Sequence, residues 1–340
     1  MQTAMGKRRP QVTAVIIGRN EEQFIAKAID SVLQVGPRLA GVEVIFVDSA
    51  STDQSIEIAA EFPIRILQLK PEWPLCVAAG RYTGVRHANG EFILFLDGDS
   101  EVGEQWLVDA IRFMNANPGY GGIAGVLNEQ YVDEQGLRTG GKDNVRNQDC
   151  TREKTEKKSL GGIALFRRSA IDQAGTVNPH LPTAEDHELC LRIRNCGFKL
   201  ATIPGVMAIK YTEDRNTINE IMRRSRTQMY DYGAVIRYCA TYGQGWQFCR
   251  DSIPYVLSFS ATVVLLLLAA PFAWYFECVW LLLAVIALLA MAVVIKKRSF
   301  HRALLSVVKR AVSSGRTLTS WMLTTPQPID SYPTDVIVRR

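Results

Sequence analysis

Short apolar runs alternate with longer stretches of mixed polarity over the first hundred residues. Val12–Ile17 and Phe92–Leu96 are apolar runs of strand length, and Val42–Val47 and Ile64–Leu69 are mostly apolar segments broken by Glu43 and by Arg65 and Gln68. Each predicts a strand, and Phe92–Leu96, rich in β-branched and aromatic types, a buried one. Between them, Glu21–Leu33 carries Phe24, Ile25, Ala28, Ile29, Val32 and Leu33 at helical spacing. A helix capped by Ser51 is expected to run towards Phe62, and another to span Leu75–Ala88. Strand and helix thus alternate four times, which predicts an α/β domain with a mostly parallel sheet. In such a sheet ligands sit at the carboxyl edges of the strands. Gly18-Arg19-Asn20, Asp48 and Asp97-Gly98-Asp99 all fall at that edge.

Further on, the pattern predicts a helix over Glu104–Asn115, strands over Gly122–Val132 and Ile163–Phe166, and a short helix over Ser169–Ala174. Asp133–Ser159 is charged and poor in large apolar residues, so it reads as a lid, a binding loop or disorder. Thr183-Ala184-Glu185-Asp186 opens a helix that runs to about Asn195 and closes at Gly197.

The pattern changes character near the C-terminus. Ile253–Phe276 has no charged residue, Glu277 follows, and Cys278–Ile295 is again uncharged. Each stretch is close to the ~20 residues that cross a bilayer core. Trp274, Tyr275, Phe276 and Trp280 cluster between them as an interfacial belt would, and Arg237, Arg250, Lys296, Lys297 and Arg298 flank the outer ends. This predicts a transmembrane hairpin with both ends on the cytoplasmic side. Arg223, Arg224 and Arg226, interleaved with Met222, Met229 and Tyr230, form either a solvated helix face or an interfacial helix, and Ala303–Val312 reads as an amphipathic surface helix. The expected organisation is a polar tail (1–10), a catalytic domain (11–210), an interfacial helical segment (211–250), the hairpin (251–295) and a basic amphipathic tail (296–340), irregular over its last 20 residues.

Composition refines this only slightly. The chain of 340 residues carries a formal net charge of +5. Much of the excess lies beside the apolar C-terminal runs, which points to a membrane surface and away from nucleic acid. Seven cysteines without a CxxC pair fit reduced thiols in a cytoplasmic setting. Residues 1–10 lack the apolar core of a cleavable signal peptide.

The candidate chemistry centres on Asp97-Gly98-Asp99. On its own it reads equally as a turn or as a hard-ligand site for Mg²⁺ or Mn²⁺. Its place at one edge with Asp48 and the 18–20 turn favours a ligand. Asp186 likewise has two readings: a first-turn acid favoured by the helix dipole, or a general base facing the ligand edge.

Taken together, these motifs resemble family 2 glycosyltransferases of the GT-A fold. The similarity runs over about residues 11–240: Val12 to Glu22 as the opening strand and its Asn-Glu-Glu turn, Val47 to Asp53 as the second-strand motif, Ala79-Gly80-Arg81 through Asp97-Gly98-Asp99 as the DxD motif, and Glu185-Asp186 as the ED motif. The resemblance implies inverting transfer from a nucleotide-sugar donor. It implies that Asp99, supported by Asp97, holds Mg²⁺ or Mn²⁺. It implies that Ile17, Gly18, Arg19, Glu21, Asp48, Ser49, Arg81, Asp97 and Gly98 contact the nucleotide, and that Asp186 is the base. Ser49 stands where the family often has a second aspartate and Arg19 where it often has an aromatic, so the choice among UDP-, GDP- and dTDP-sugars stays open. No QxxRW motif follows the ED motif, which favours a single sugar addition per encounter. The hairpin suggests a lipid-linked or glycan acceptor. The competing classes are a sugar-phosphate nucleotidylyltransferase, for which the 18–22 turn is poor in glycine and basic residues, and an inactive membrane scaffold.

Overall fold

The computed structural model describes residues 10–133, 135–146, 153–212 and 217–339. The chain forms two compact units: Met1–Glu213 together with Gln327–Arg340, and Asp214–Pro326.

The first unit opens with β1 (Val12–Gly18), α1 (Ile25–Val35), β2 (Val42–Asp48), α2 (Ser55–Ala59), β3 (Arg65–Gln68), α3 (Val77–His87) and β4 (Phe92–Asp97). β5 (Ser100–Val102), α4 (Glu104–Ala116), β6 (Tyr120–Val132), β7 (Arg138–Arg146), β8 (Thr155–Glu156) and β9 (Ala164–Arg167) follow. α5 (Arg168–Gln173), α6 (Glu185–Asn195) and β10 (Lys199–Thr212) come next, and β11 (Ile337–Val338) joins from the far end of the chain. The sheet order is β11-β3-β2-β1-β4-β9-β6-β10-β5, with β7 on β6 and β8 on β10. β1 pairs in parallel with both β2 and β4, so Gly18, Asp48 and Asp97 end side by side. The first four strands pair in parallel, as the alternating pattern predicts, and antiparallel partners complete a mixed α/β sheet of the GT-A type that the resemblance implies. The four runs lie side by side as β3-β2-β1-β4 in one half of the sheet, and their Val12, Ile16, Phe46, Ile66, Phe92 and Leu94 are fully buried.

One glycine lets α3 lie close on the sheet. A Cβ at Gly84 would come 2.1 Å from Val15 Cγ1, so no larger residue fits there. That close approach brings Arg81, one turn earlier on α3, to the carboxyl edge.

The polar segment 133–159 is not simply a loop. β7 pairs antiparallel with β6, and β8 pairs with β10. Arg138, Thr139 and Gly141–Asp143 are exposed, so this strand presents no apolar face that periodicity would reveal. Residues 147–152 of the segment lie outside those described. Ser51 does not cap α2. Its Oγ accepts from Asn20 N at 2.9 Å, and the helix begins later, at Ser55, whose N and Oγ both donate to Asp53 Oδ1.

The tail expected over 296–340 is divided between the two units. After Pro326 the chain returns to the first unit and binds it as a strap. Ile337 and Val338 pair antiparallel with Gln68 and Leu67. Tyr332 is 2% exposed, its ring packs edge-on against Trp73, Tyr82 and His180, and its hydroxyl donates to Pro74 O at 2.9 Å. The polar, proline-rich sequence of this segment hides a single buried aromatic anchor and a covered sheet edge.

The second unit is helical: α7 (Ile218–Arg226), α8 (Tyr232–Thr241), α9 (Gly245–Ser252), α10 (Pro254–Tyr275), α11 (Val279–Lys297) and α12 (Phe300–Leu323). The helix face expected over Met222–Tyr230 is broken: α7 ends at Arg226, and the chain turns at 227–231, where Gln228 takes φ 62°. Thr217 caps α7, accepting from Glu220 N at 3.1 Å, and Glu220 pairs with both Arg223 and Arg224. α10 and α11 are joined by the turn at 276–278; both are long and apolar enough to cross a membrane, and almost none of their side chains are buried within the protein. Asp231 and Arg316 tie α8 to α12 through a two-pronged ion pair at 2.5 and 2.7 Å.

Candidate active site

The site lies where β1, β2 and β4 end. The turns after β1 and β2 interlock: Asn20 Oδ1 accepts from Thr52 N at 2.9 Å, Glu21 N donates to Ser55 Oγ at 2.7 Å, and Ser49 N donates to Gly18 O at 2.9 Å. Asn20 and Ala50 take φ near +60°, the left-handed backbone that lets both turns fold back on themselves. Gly98 N donates to Ile17 O at 2.8 Å, which ties the acid pair to the first turn. A Cβ at Gly98 would stand 3.1 Å from Glu21 Cγ and 3.3 Å from Ile17 O.

Asp48 is fully buried. Its Oδ2 accepts from Ser51 N at 3.0 Å and Gln68 Nε2 at 3.3 Å, while its Oδ1 has no hydrogen-bond partner. A buried carboxylate oxygen without a donor is costly and calls for a ligand that supplies one. Gln68 in turn accepts from the strap through Arg339 at 2.7 and 3.0 Å.

Arg81 is 3% exposed and binds two acids: Glu185 through one amino group, and Asp97 Oδ1 through the other at 3.1 Å. Burial works against the Arg81 charge, but Glu185 and Asp97 outweigh it and hold the guanidinium protonated. Burial pushes the Glu185 carboxyl up, against the pull of Arg81. Glu21, half-buried near Asp99, is raised to about 8 by partial burial and by that neighbouring charge.

α6 delivers Glu185 and Asp186 in its first turn. No side chain caps the start of α6. Ala184 starts the helix at φ 51°, and Asp186 Oδ1 accepts from its neighbour His187 N at 2.9 Å. Arg81, Phe95, Phe166, Glu185, Asp186 and Leu189 line a small crevice, so Asp186 and the Arg81 cluster share one surface.

Lys210, at the end of β10, was not anticipated. Its Nζ lies 2.7 Å from Asp97 Oδ2 and 2.6 Å from Asp99 Oδ1. The acid pair expected to hold Mg²⁺ or Mn²⁺ therefore holds an ammonium. A divalent ion shared by both carboxylates would lie where Lys210 Nζ lies, and as arranged these residues do not fit one. Among the described residues no three His, Cys, Asp or Glu side chains are grouped to hold a metal. The sequence signal for Lys210 is slight: one lysine closing the run Val206-Met207-Ala208-Ile209.

Of the residues singled out from sequence, Ile17, Gly18, Glu21, Asp48, Ser49, Arg81, Asp97, Gly98 and Asp99 converge on this edge, and Asp186 reaches it through α6. Arg19 sits exposed at the tip of the first turn.

Comparison with known proteins agrees with this architecture. Residues 13–175 match the model of Glycosyl transferase family 2. The glycosyltransferase AglE of Haloferax volcanii is 26% identical over 197 residues, 56% of this chain and 64% of that protein, so the match stops short of two thirds of its length. The uncharacterized glycosyltransferase EpsJ of Bacillus subtilis is 33% identical over 95 residues, 27% of each chain. Among solved structures, the mannosyltransferase PcManGT from Pyrobaculum calidifontis, in complex with GDP-Man and Mn²⁺, superposes with a TM-score of 0.60 at 17% identity, covering 94% of this chain and 89% of that one.

Proposed function

Starting from a chain that carries a family 2 glycosyltransferase domain, we propose that it moves a sugar, with inversion, from a nucleotide-sugar donor to an acceptor hydroxyl at the carboxyl edge of β1, β2 and β4. The observation that carries this reading is Asp48: a fully buried carboxylate with an unsatisfied oxygen, at the edge where a nucleobase N–H would supply the missing donor.

In this reading the nucleoside lies against Ile17, Gly18, Asp48 and Ser49, and the diphosphate runs towards Asp97, Gly98 and Arg81. Arg81 and Lys210 are the cations nearest the acid pair. The acceptor oxygen forms its bond to the anomeric carbon as the bond from that carbon to the diphosphate oxygen breaks, and the leaving diphosphate takes the electron pair. Asp186 takes the acceptor proton. A carboxylate of ordinary basicity suffices, because the hydroxyl becomes acidic only as the new bond forms. Arg81 keeps Glu185, and with it the first turn of α6, in place.

GDP-Man and UDP-, GDP- or dTDP-linked sugars in general are the donor class. Mn²⁺ accompanies the donor in the Pyrobaculum structure. Here Mg²⁺ or Mn²⁺ at Asp97 and Asp99 requires Lys210 to leave, and no step above depends on it. The apolar helices α10 and α11 support a membrane anchor with the catalytic unit on the cytoplasmic side, and a lipid-linked glycan as acceptor.

Thermal-shift measurements with UDP, GDP, CMP and dTDP, each with and without Mn²⁺, test the donor site. A rise in melting temperature with one nucleoside diphosphate, lost in Asp48→Ala, supports the reading. No response to any of them would leave an inactive scaffold as the better description.

A further inference from the structure

We propose that Lys210 is the resident cation of the donor site: its ammonium takes the neutralising place between Asp97 and Asp99 and donates its remaining N–H to the donor's diphosphate, so that nucleotide binding and sugar transfer proceed without a divalent metal. The proposal rests on the glycosyl-transfer reading above and names what neutralises the leaving group in it.

The backbone fixes the lysine there. β10 pairs antiparallel with β5, setting Lys210 opposite Ser100, the residue after Asp99. On its other side β10 pairs in parallel with β6, with Lys210 opposite Glu129. Tyr211 N donates to Asp99 O at 2.8 Å. The Lys210 backbone is thus held from two strands and from the acid motif itself, and its side chain reaches Asp97 and Asp99 at 2.7 and 2.6 Å with only 14% exposure.

The hydrogen-bond inventory leads to the same assignment. An ammonium has three donors. Two are spent on Asp97 Oδ2 and Asp99 Oδ1, which leaves one for a ligand. Asp97 is occupied on both oxygens, by Lys210 and by Arg81 at 3.1 Å, and Asp99 Oδ1 also accepts from Ser100 Oγ at 3.1 Å. To bind both acids, a metal would have to displace an ammonium from two carboxylates and leave it in the interior, on a strand whose backbone is pinned.

Lys210 acts here as a fixed charge. As the bond from the anomeric carbon to the diphosphate oxygen breaks, negative charge grows on that oxygen, and the Lys210 N–H hydrogen-bonds to it while keeping its proton. The acceptor proton goes to Asp186, and no oxidant or further reactant enters.

The test is titration of the purified full chain with UDP and GDP by calorimetry, once in EDTA and once in Mn²⁺. The expected result for the natural sequence is a dissociation constant that differs by less than about threefold between the two buffers. Lys210→Met should weaken binding in EDTA by about tenfold or more, the scale of a lost charge-assisted hydrogen bond. Lys210→Arg, which keeps the charge, should recover part of that loss. Binding of the natural sequence only in Mn²⁺ would overturn the proposal without any variant being needed. Equal binding in EDTA by Lys210→Met, with an unchanged melting temperature, would overturn it as well. If no nucleotide binds in either buffer, the glycosyl-transfer reading falls and this one with it.

Discussion

Arg81 and Glu185 lie 104 residues apart in sequence and form an ion pair that is almost closed to water, their side chains 4% and 9% exposed. The same guanidinium reaches Asp97, so one side chain couples α3, the end of β4 and the start of α6. Removing it leaves the buried Glu185 without its partner and takes one of two cations from the half-buried Asp97. Arg81→Met should cost about 3–5 kcal/mol in urea unfolding, the scale of a broken buried pair. Glu185→Gln, which keeps a hydrogen-bond acceptor for Arg81, should cost less. Equal and small losses in the two variants would show that the pair is not closed to water in solution.

Asp186 carries the proton transfer in the proposed reaction. Asp186→Asn should leave nucleotide affinity within about twofold while transfer falls by about 10²–10⁴. Binding and transfer falling together would instead make Asp186 a support for the start of α6. Steady-state kinetics alongside nucleotide titration separate the two outcomes.

Asp48 is expected to act on affinity alone. Asp48→Ala removes an acceptor that already has two protein donors and one unsatisfied oxygen. Nucleotide affinity should drop by about tenfold or more, while the protein itself should be destabilised by only about 1–2 kcal/mol. Calorimetric titration and a melt without ligand check the two halves of this prediction.

The strap predicts how the catalytic unit can be cut free. A fragment ending before α7 loses Tyr332 and the cover on β3. Tyr332→Ala alone should destabilise the first unit by roughly 3–5 kcal/mol, as other buried aromatics do when truncated. Supplying residues 327–340 as a peptide should restore part of that loss to the shortened fragment. No stabilisation by the peptide would mean the strap contributes little.

Acid should loosen α7 before the rest of the chain. Hydrogen bonds from Arg223 and Arg224 hold the Glu220 carboxyl at about 2, below its ordinary 4.5. A depressed acid stabilises the fold above its unfolded pKa, and that stabilisation is lost as pH falls through the folded value. The window is therefore about pH 4.5 to 2. Both arginines border solvent, so the loss should be no more than about 1 kcal/mol. Glu220→Gln should flatten the acid limb of a helicity titration.

Much of the sheet was legible in the sequence because a parallel sheet covered on both faces needs unbroken apolar runs, and β1, β2 and β4 have them. The acids at their ends were legible for the same reason: Asp48 and Asp97 end strands whose registers align. Other features left weaker traces. β7 lies in a polar stretch with no apolar face. Lys210 looks like any lysine closing an apolar run until β5 and β10 pair. The bond between Arg81 and Glu185 spans 104 residues, which no local spacing reports. Tyr332 is a single aromatic among prolines, and its burial depends on Trp73, Tyr82 and His180 arriving from two distant segments.

The returning strap also sets an order of events during synthesis. A ribosome makes the chain from its N-terminus, so β3 and the Trp73–Tyr82 surface emerge long before residues 327–340 exist. Everything in α7–α12, including the two most apolar helices, is translated in the interval. The catalytic unit thus waits, with one sheet edge bare, until those helices have left the ribosome. Nascent chains halted before Tyr332 should be more open to proteolysis near β3 than chains released after Val338.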